Sequence, residues 1–141
     1  MPRVRLVLAL LLSSWVFVPA AAQQPPAPYR ILISNDDGVR APGLAAVAQI
    51  LQAIGQIIIV APSENQSGKG HSINTSEPIF REDVTLPNGL KAIGLSATPA
   101  TTVNVAMSNI LKPLPDLVVS GINRGYNLGY AAYLSGTVGA A

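Results

Sequence analysis

The chain contains no cysteine and a single histidine, His71, in 141 residues. Without cysteine there are no disulfides, no cysteine-anchored lipid modification and no ordinary structural zinc cluster; one histidine rules out a histidine-rich zinc centre. Charge is also scarce, at 11% of residues, and Arg3 and Arg5 account for two of the nine basic side chains. Residues 23–141 therefore hold seven basic and seven acidic groups and are formally neutral. A neutral chain exerts no general attraction on duplex nucleic acid, because that binding scales with the phosphates neutralised. An anionic ligand has to be small and held locally.

One long hydrophobic run is present, at the amino end. Residues 1–5 carry both early arginines, residues 6–12 are wholly apolar, residues 13–18 extend the run, and Pro19-Ala20-Ala21-Ala22 supplies small residues before Gln23. This is the layout of a signal peptide, residues 1–22, cleaved after Ala22. It predicts export, to a bacterial periplasm, with no stable membrane association after cleavage. An uncleaved anchor is the alternative, since residues 6–22 reach the lower limit of about 17 residues for a membrane span. Two tripeptides, Asn65-Gln66-Ser67 and Asn74-Thr75-Ser76, match the glycosylation sequon. A glycan on Asn65 would crowd the loop described below, which favours a bacterial envelope.

Residues 23–28, Gln-Gln-Pro-Pro-Ala-Pro, form a linker rich in proline, and residues 29–141 are long enough for one domain. Residues 29–34 make a short, continuously apolar strand, as expected where both sheet faces are covered. Pro42 is placed to open a helix; Leu44, Val47, Ala48 and Leu51 then fall on one helical stripe, and Gly55 supplies the expected stop. Residues 57–61 are a second buried strand, completing a βαβ unit. A long polar loop follows over residues 62–76, and residues 79–86 and 90–95 read as a hairpin around Pro87-Asn88-Gly89. Thr98 and Pro99 mark the start of another helix with Val103, Ala106, Met107 and Ile110 on its stripe, ended by Pro113 and Pro115 before a strand over 116–120. The last seven residues, 135–141, read as a turn running into one helical turn with nothing evident to hold it.

Polar residues end two of these strands abruptly, in Ser34-Asn35-Asp36-Asp37-Gly38 and Ser120-Gly121-Ile122-Asn123-Arg124-Gly125. In an open parallel sheet such ends face the binding crevice. Adjacent carboxylates repel unless a cation lies between them, so Asp36 and Asp37 are candidate ligands for a hard, oxygen-seeking metal. A plain Asp-Asp-Gly turn is the other reading. An EF-hand fails for want of the downstream acidic ligands, and the loop from Ser63 to Gly70 fails as a Walker A because Ser63 and Gly70 stand where glycine and Ser/Thr are required. Lys69 reads as a solvated loop charge and His71 as a hydrogen-bonding residue. Ser135-Gly136-Thr137 can present hydroxyls and amides to an anion or simply cap a helix, and Asn127 is either a turn residue or a further ligand to that anion.

Together these segments, with Ala41-Pro42-Gly43, Val60-Ala61-Pro62, Asn65-Gln66-Ser67-Gly68, Gly70-His71-Ser72, Asn127-Leu128-Gly129 and Ser135-Gly136-Thr137-Val138, closely resemble the SurE family of metal-dependent 5'/3'-nucleotidases over residues 29–141. The resemblance implies an α/β fold, a Rossmann-like three-layer α/β/α sandwich with a mainly parallel sheet, here its amino-terminal portion. It implies hydrolysis of nucleoside monophosphates with one divalent cation, Mg²⁺ or Mn²⁺, held by Asp36, Asp37, Ser67 and Asn123. Asp36 and Asp37 would also be the catalytic pair, Asn35 would support them, and Asn127, Ser135, Gly136 and Thr137 would hold the substrate phosphate. The chain departs from the family at Ala97-Thr98-Pro99-Ala100-Thr101-Thr102, where Gly-Thr-Pro and then Asp-Cys are usual. Family members are considerably longer, and the further carboxyl part implies a homo-oligomer for a full-length form. A catalytically weak remnant that still binds metal or phosphate is the second reading.

Overall fold

The computed structural model describes residues 27–141; the expected signal peptide and most of the proline-rich linker lie outside the described residues. Five strands form one sheet in the order β3-β4-β2-β1-β5, with β1 at Arg30–Ser34, β2 at Gln56–Pro62, β3 at Arg81–Thr85, β4 at Lys91–Leu95 and β5 at Leu117–Ser120. β1 runs parallel to both β2 and β5, β4 is parallel to β2, and only β3 is antiparallel, as the partner of β4 in the expected hairpin.

Helices lie on both faces, so the predicted α/β sandwich is the fold observed. On one face α1, Pro42–Leu51, packs Leu44 and Ala48 against Ile31, Ile33, Ile59 and Ala61. On the other, α2, Pro99–Val105, continues as a π-helical turn, Ala106–Ile110, and packs Val103, Ala106, Met107 and Ile110 over Leu32, Val60 and Leu95. Ile31, Leu32 and Ile33 are all 0% exposed, which is why β1 reads as an uninterrupted apolar run rather than an alternation. Each such side chain contributes roughly 1.5–3 kcal/mol on burial.

Sheet order explains where a ligand can sit. After β1 the chain moves through α1 to β2 and on towards β4, whereas after α2 it returns to the opposite side of β1 to form β5. The carboxyl ends of β1 and β5 therefore flank a topological switch point, where the connecting loops diverge and leave a crevice. Their register sets Ile31 beside Leu117 and Ser34 beside Ser120. Arg30 N–H donates to the Asp116 carboxylate at 2.7 Å at the far end of the same pair.

Several local expectations change in detail. α1 ends at Leu51, and Gln52, not Gly55, is its capping residue. Gly55 is required for another reason: a side chain there would collide with the Tyr29 carbonyl oxygen, which accepts the Gln56 N–H at 2.7 Å. Thr98 stands at the N-cap of α2 but makes no side-chain cap bond; its hydroxyl donates to the Ser72 carbonyl at 2.7 Å and pins the long loop instead. The final turn is held after all. It forms α3, Gly136–Ala140, which docks on α2 and leaves Ala140 2% exposed.

Gly55→Ala is expected to lower stability by roughly 1–3 kcal/mol, because the new methyl must push β1 and β2 apart at their first shared hydrogen bond. Urea denaturation followed by circular dichroism measures it; an unchanged midpoint would show that the backbone yields there at no cost.

Candidate active site

The turn after β1 is built by Asn35. Fully buried, its side chain both accepts from the Gly38 N–H at 3.2 Å and donates to the Gly38 carbonyl at 3.1 Å. Gly38 takes a φ of +102°, a backbone conformation that costs glycine little. The bracketed turn presents Asp36 and Asp37 in sequence. The Asp36 carbonyl accepts the Gln66 N–H at 2.7 Å and so draws the loop of residues 62–76 to the end of β1. In that loop the Asn65 side chain accepts from the Ser67 N–H at 2.8 Å, a local turn that fixes the position of Ser67.

One hollow of about 400 Å³ gathers the products of this arrangement: Asp36 and Asp37 after β1, Asn65 and Ser67 from the loop, Asn123 and Asn127 after β5, and Ser135 ahead of α3. All are oxygen donors, two of them anionic. Asn123 turns its amide nitrogen to the Gly125 carbonyl at 3.0 Å and towards Asn127 Oδ1 at 3.4 Å, which leaves its own amide oxygen free. Among the described residues no three acidic, histidine or cysteine side chains cluster. Two carboxylates with neutral oxygens do not enclose an ion completely, and they suit a hard divalent cation that keeps waters and phosphate oxygens in its remaining positions. Asp36, Asp37, Ser67 and Asn123, the ligand set implied by the family resemblance, thus share one hollow whose chemistry fits the cation.

The expected phosphate contacts divide. Asn127 and Ser135 line the hollow, whereas Gly136 and Thr137 lie behind it, packed on Asp36. Thr137, only 8% exposed, donates its hydroxyl to Asp36 Oδ1 at 2.7 Å. Ser135 caps α3, its oxygen accepting from the Val138 N–H at 3.2 Å while its own hydroxyl hydrogen remains available. His71 places Nδ1 3.3 Å from the Tyr133 carbonyl, outside the lining, in the structural role expected for a lone loop histidine.

Several lining residues carry no site role in the sequence reading, among them Asn65, which stands there as part of the loop motif and a sequon, and Arg124, which stands there as a neighbour of Asn123. Arg124 is the one basic residue lining this hollow among the described residues, and it lines the adjoining hollow as well. Its signal was its position: the residue after a strand-end ligand stays at the crevice.

The shifted titrations belong to a strut beside the site. Arg40, in the stretch from the Gly38 turn to α1, donates to both carboxylate oxygens of Glu82 on β3 at 2.9 and 2.8 Å. That hydrogen bonding, ahead of the opposing desolvation, holds the Glu82 carboxyl below the usual carboxylate range, and the same pairing raises Arg40. Both groups are solvent-exposed, so the pair positions the turn more than it stabilises the fold.

Residues 31–141 match the family model described as "Survival protein SurE". The chain is 45% identical over 114 residues to the 5'-nucleotidase SurE of Aeromonas hydrophila, covering 79% of this chain and 45% of that one. It is 46% identical over 112 residues to the 5'-nucleotidase SurE of Methanopyrus kandleri, covering 79% and 42% respectively. Among solved structures, the SurE protein from Aquifex aeolicus superimposes with a TM-score of 0.68 at 39% identity, over 79% of this chain and 44% of that one. The chain thus spans less than half the length of the relatives it matches.

Gly136→Ala is expected to displace Asp36, since a Cβ there would lie 2.8 Å from Asp36 Cβ and 3.1 Å from its Oδ2. A stability loss of roughly 1–3 kcal/mol should accompany it. Denaturant titration and a structure of the variant check both points; an unmoved Asp36 with its Thr137 bond intact would contradict the expectation.

Proposed function

This chain belongs to the SurE family, and from that premise we propose that it carries the centre of a metal-dependent nucleotidase hydrolysing nucleoside 5'- or 3'-monophosphates to nucleoside and phosphate. The observation that carries the reading is the single hollow at the ends of β1 and β5 that gathers Asp36, Asp37, Ser67, Asn123, Asn127 and Ser135. Asp36, Asp37, Ser67 and Asn123 would hold one Mg²⁺ or Mn²⁺. When bound, the cation supplies the positive charge that offsets charge building on the phosphoryl oxygens and eases deprotonation of water.

The chain's own residues divide the remaining work. The Ser135 hydroxyl and the Asn127 amide donate to phosphate oxygens, and Arg124 adds a positive charge beside them. Asp36 is 3% exposed and one of its oxygens already accepts from Thr137, which suits an anchoring ligand. Asp37 is only partly buried and has no such bond, so it is the better placed to accept a proton from the attacking water. Residues 1–22 read as an export signal, and the reading extends to a periplasmic enzyme acting on small nucleotides and to a homo-oligomeric full-length form.

Phosphate release from a nucleoside monophosphate is expected to require added Mg²⁺ or Mn²⁺ and to stop with excess chelator. Undiminished release in chelator would refute the metal-dependent reading.

Asp37→Asn keeps the shape of the side chain and removes its charge, and should cost on the order of a hundredfold or more in turnover. Lys69→Ala, outside the lining of the hollow, should cost less than about threefold. Calorimetric titration with Mn²⁺ beside the kinetics separates a lost ligand from a lost fold.

A further inference from the structure

The loop of residues 62–76 carries Asn65 and Ser67 to the hollow, and its far end is fastened to the start of α2. Among residues 71–78 only Asn74 is not exposed. Ile73 beside it is 66% exposed, so the loop turns an apolar side chain outward and a polar one inward, the reverse of what burial alone favours. Asn74 is held on two sides. Its backbone N–H donates to Thr101 Oγ1 at 2.8 Å, and its Oδ1 accepts the Thr98 N–H at 2.8 Å. The Thr98 and Thr101 hydroxyls lie 2.9 Å apart. A hydroxyl has one hydrogen, and that of Thr98 goes to the Ser72 carbonyl, which can only accept; the Thr101 hydrogen therefore serves the link between the two threonines. These bonds join the loop to α2 as a closed network.

The near end of the loop is held at the site itself, where the Gln66 N–H donates to the Asp36 carbonyl at 2.7 Å. Successive turns run between the two anchors, with the Lys69 N–H on the Gln66 carbonyl at 3.2 Å and the Ser72 N–H on the Lys69 carbonyl at 3.1 Å. Ser67 is exposed, so it depends on those anchors for its place in the hollow. We propose that Asn74 is a positioning residue for the metal centre: with Thr98 and Thr101 it clasps the loop to α2 and so keeps Ser67 at the end of β1. The inference rests on the reading of Ser67 as a ligand to the cation and adds to it the residues that hold that ligand in place. The bond to Thr98 uses the side-chain oxygen of Asn74 and not its amide nitrogen, so aspartate can take its place.

Asn74→Ala removes the acceptor for the Thr98 N–H. In the metal-free chain it is expected to speed hydrogen exchange of the amides at residues 66–72 about tenfold, with those of β1 and β5 unchanged, which separates a freed loop from a lost fold. Calorimetric titration should show Mn²⁺ affinity weakened about tenfold. Turnover on AMP should return to within about threefold once Mn²⁺ is saturating, because Asp37, Asn127 and Ser135 are held by other elements. On a Ser67→Ala background the same substitution should weaken Mn²⁺ no further, since the ligand it positions is gone. Asn74→Asp keeps the oxygen and should restore both exchange and affinity; Thr101→Val, which removes the acceptor of the Asn74 N–H at nearly constant volume, should reproduce Asn74→Ala. Unchanged Mn²⁺ affinity in Asn74→Ala, an Asn74→Asp chain as weak as Asn74→Ala, or an equal further loss on the Ser67→Ala background would each overturn the positioning role. Absence of Mn²⁺ binding to the unaltered chain would overturn the metal centre itself, and this inference with it.

Discussion

Parallel pairing of β1 with β5 is the constraint on which the rest of the molecule depends. The register that sets Ser34 beside Ser120 brings two sequence segments more than eighty residues apart to the same edge of the sheet. Three of the site's polar residues then follow within three residues of those serines, Asp36 and Asp37 on one side and Asn123 on the other. A slip of one residue in either strand would exchange its faces, burying the polar side of one strand end and withdrawing its donor from the crevice.

Much of this was legible from local pattern. The apolar run of β1, the Pro42 opening of α1 with its Leu44 and Ala48 stripe, and the abrupt polar endings all reflect burial, which hydrophobic periodicity records directly. The convergence of the two strand ends was legible only as a rule about open parallel sheets. What escaped were choices made by side chains between partners distant in the chain. Thr98 reads locally as a cap and is drawn to the Ser72 carbonyl instead. Thr137 reads locally as part of a turn that can face an anion or cap a helix, and nothing local shows that its hydroxyl donates to Asp36, 101 residues away. Gly55 reads as a helix stop because glycine often is one, whereas the reason for it lies in the carbonyl of Tyr29.

The polar network around Asp36 also explains how two neighbouring acids can play different parts. Burial, the Thr137 hydroxyl and the close packing of Gly136 restrain Asp36 on three sides. Asp37, one residue further along the Asn35 turn, stands where the two hollows meet. The same backbone turn that delivers them together therefore gives one a fixed orientation and the other access to solvent. Arg40, bound to Glu82, ties the outgoing end of that turn to the hairpin edge of the sheet, so the pair of acids is braced from both directions along the chain.

The interior changes character along the length of β1. Ile31, Leu32 and Ile33 sit among aliphatic neighbours, but beyond them the fully buried groups are Ser34, Asn35 and, on α2, Thr102, with the hydroxyls of Ser34, Thr102 and Ser120 enclosed and unpaired with protein atoms. Apolar burial weakens on cooling, whereas polar contacts follow no such trend, and the two kinds of surface contribute to the unfolding heat capacity with opposite sign. The two ends of one strand therefore contribute to the heat capacity of unfolding with opposite sign, exposure of the aliphatic end raising it and exposure of the polar end lowering it. The end of the strand that carries the acids thus offsets part of the heat-capacity change that the aliphatic core a few residues earlier contributes.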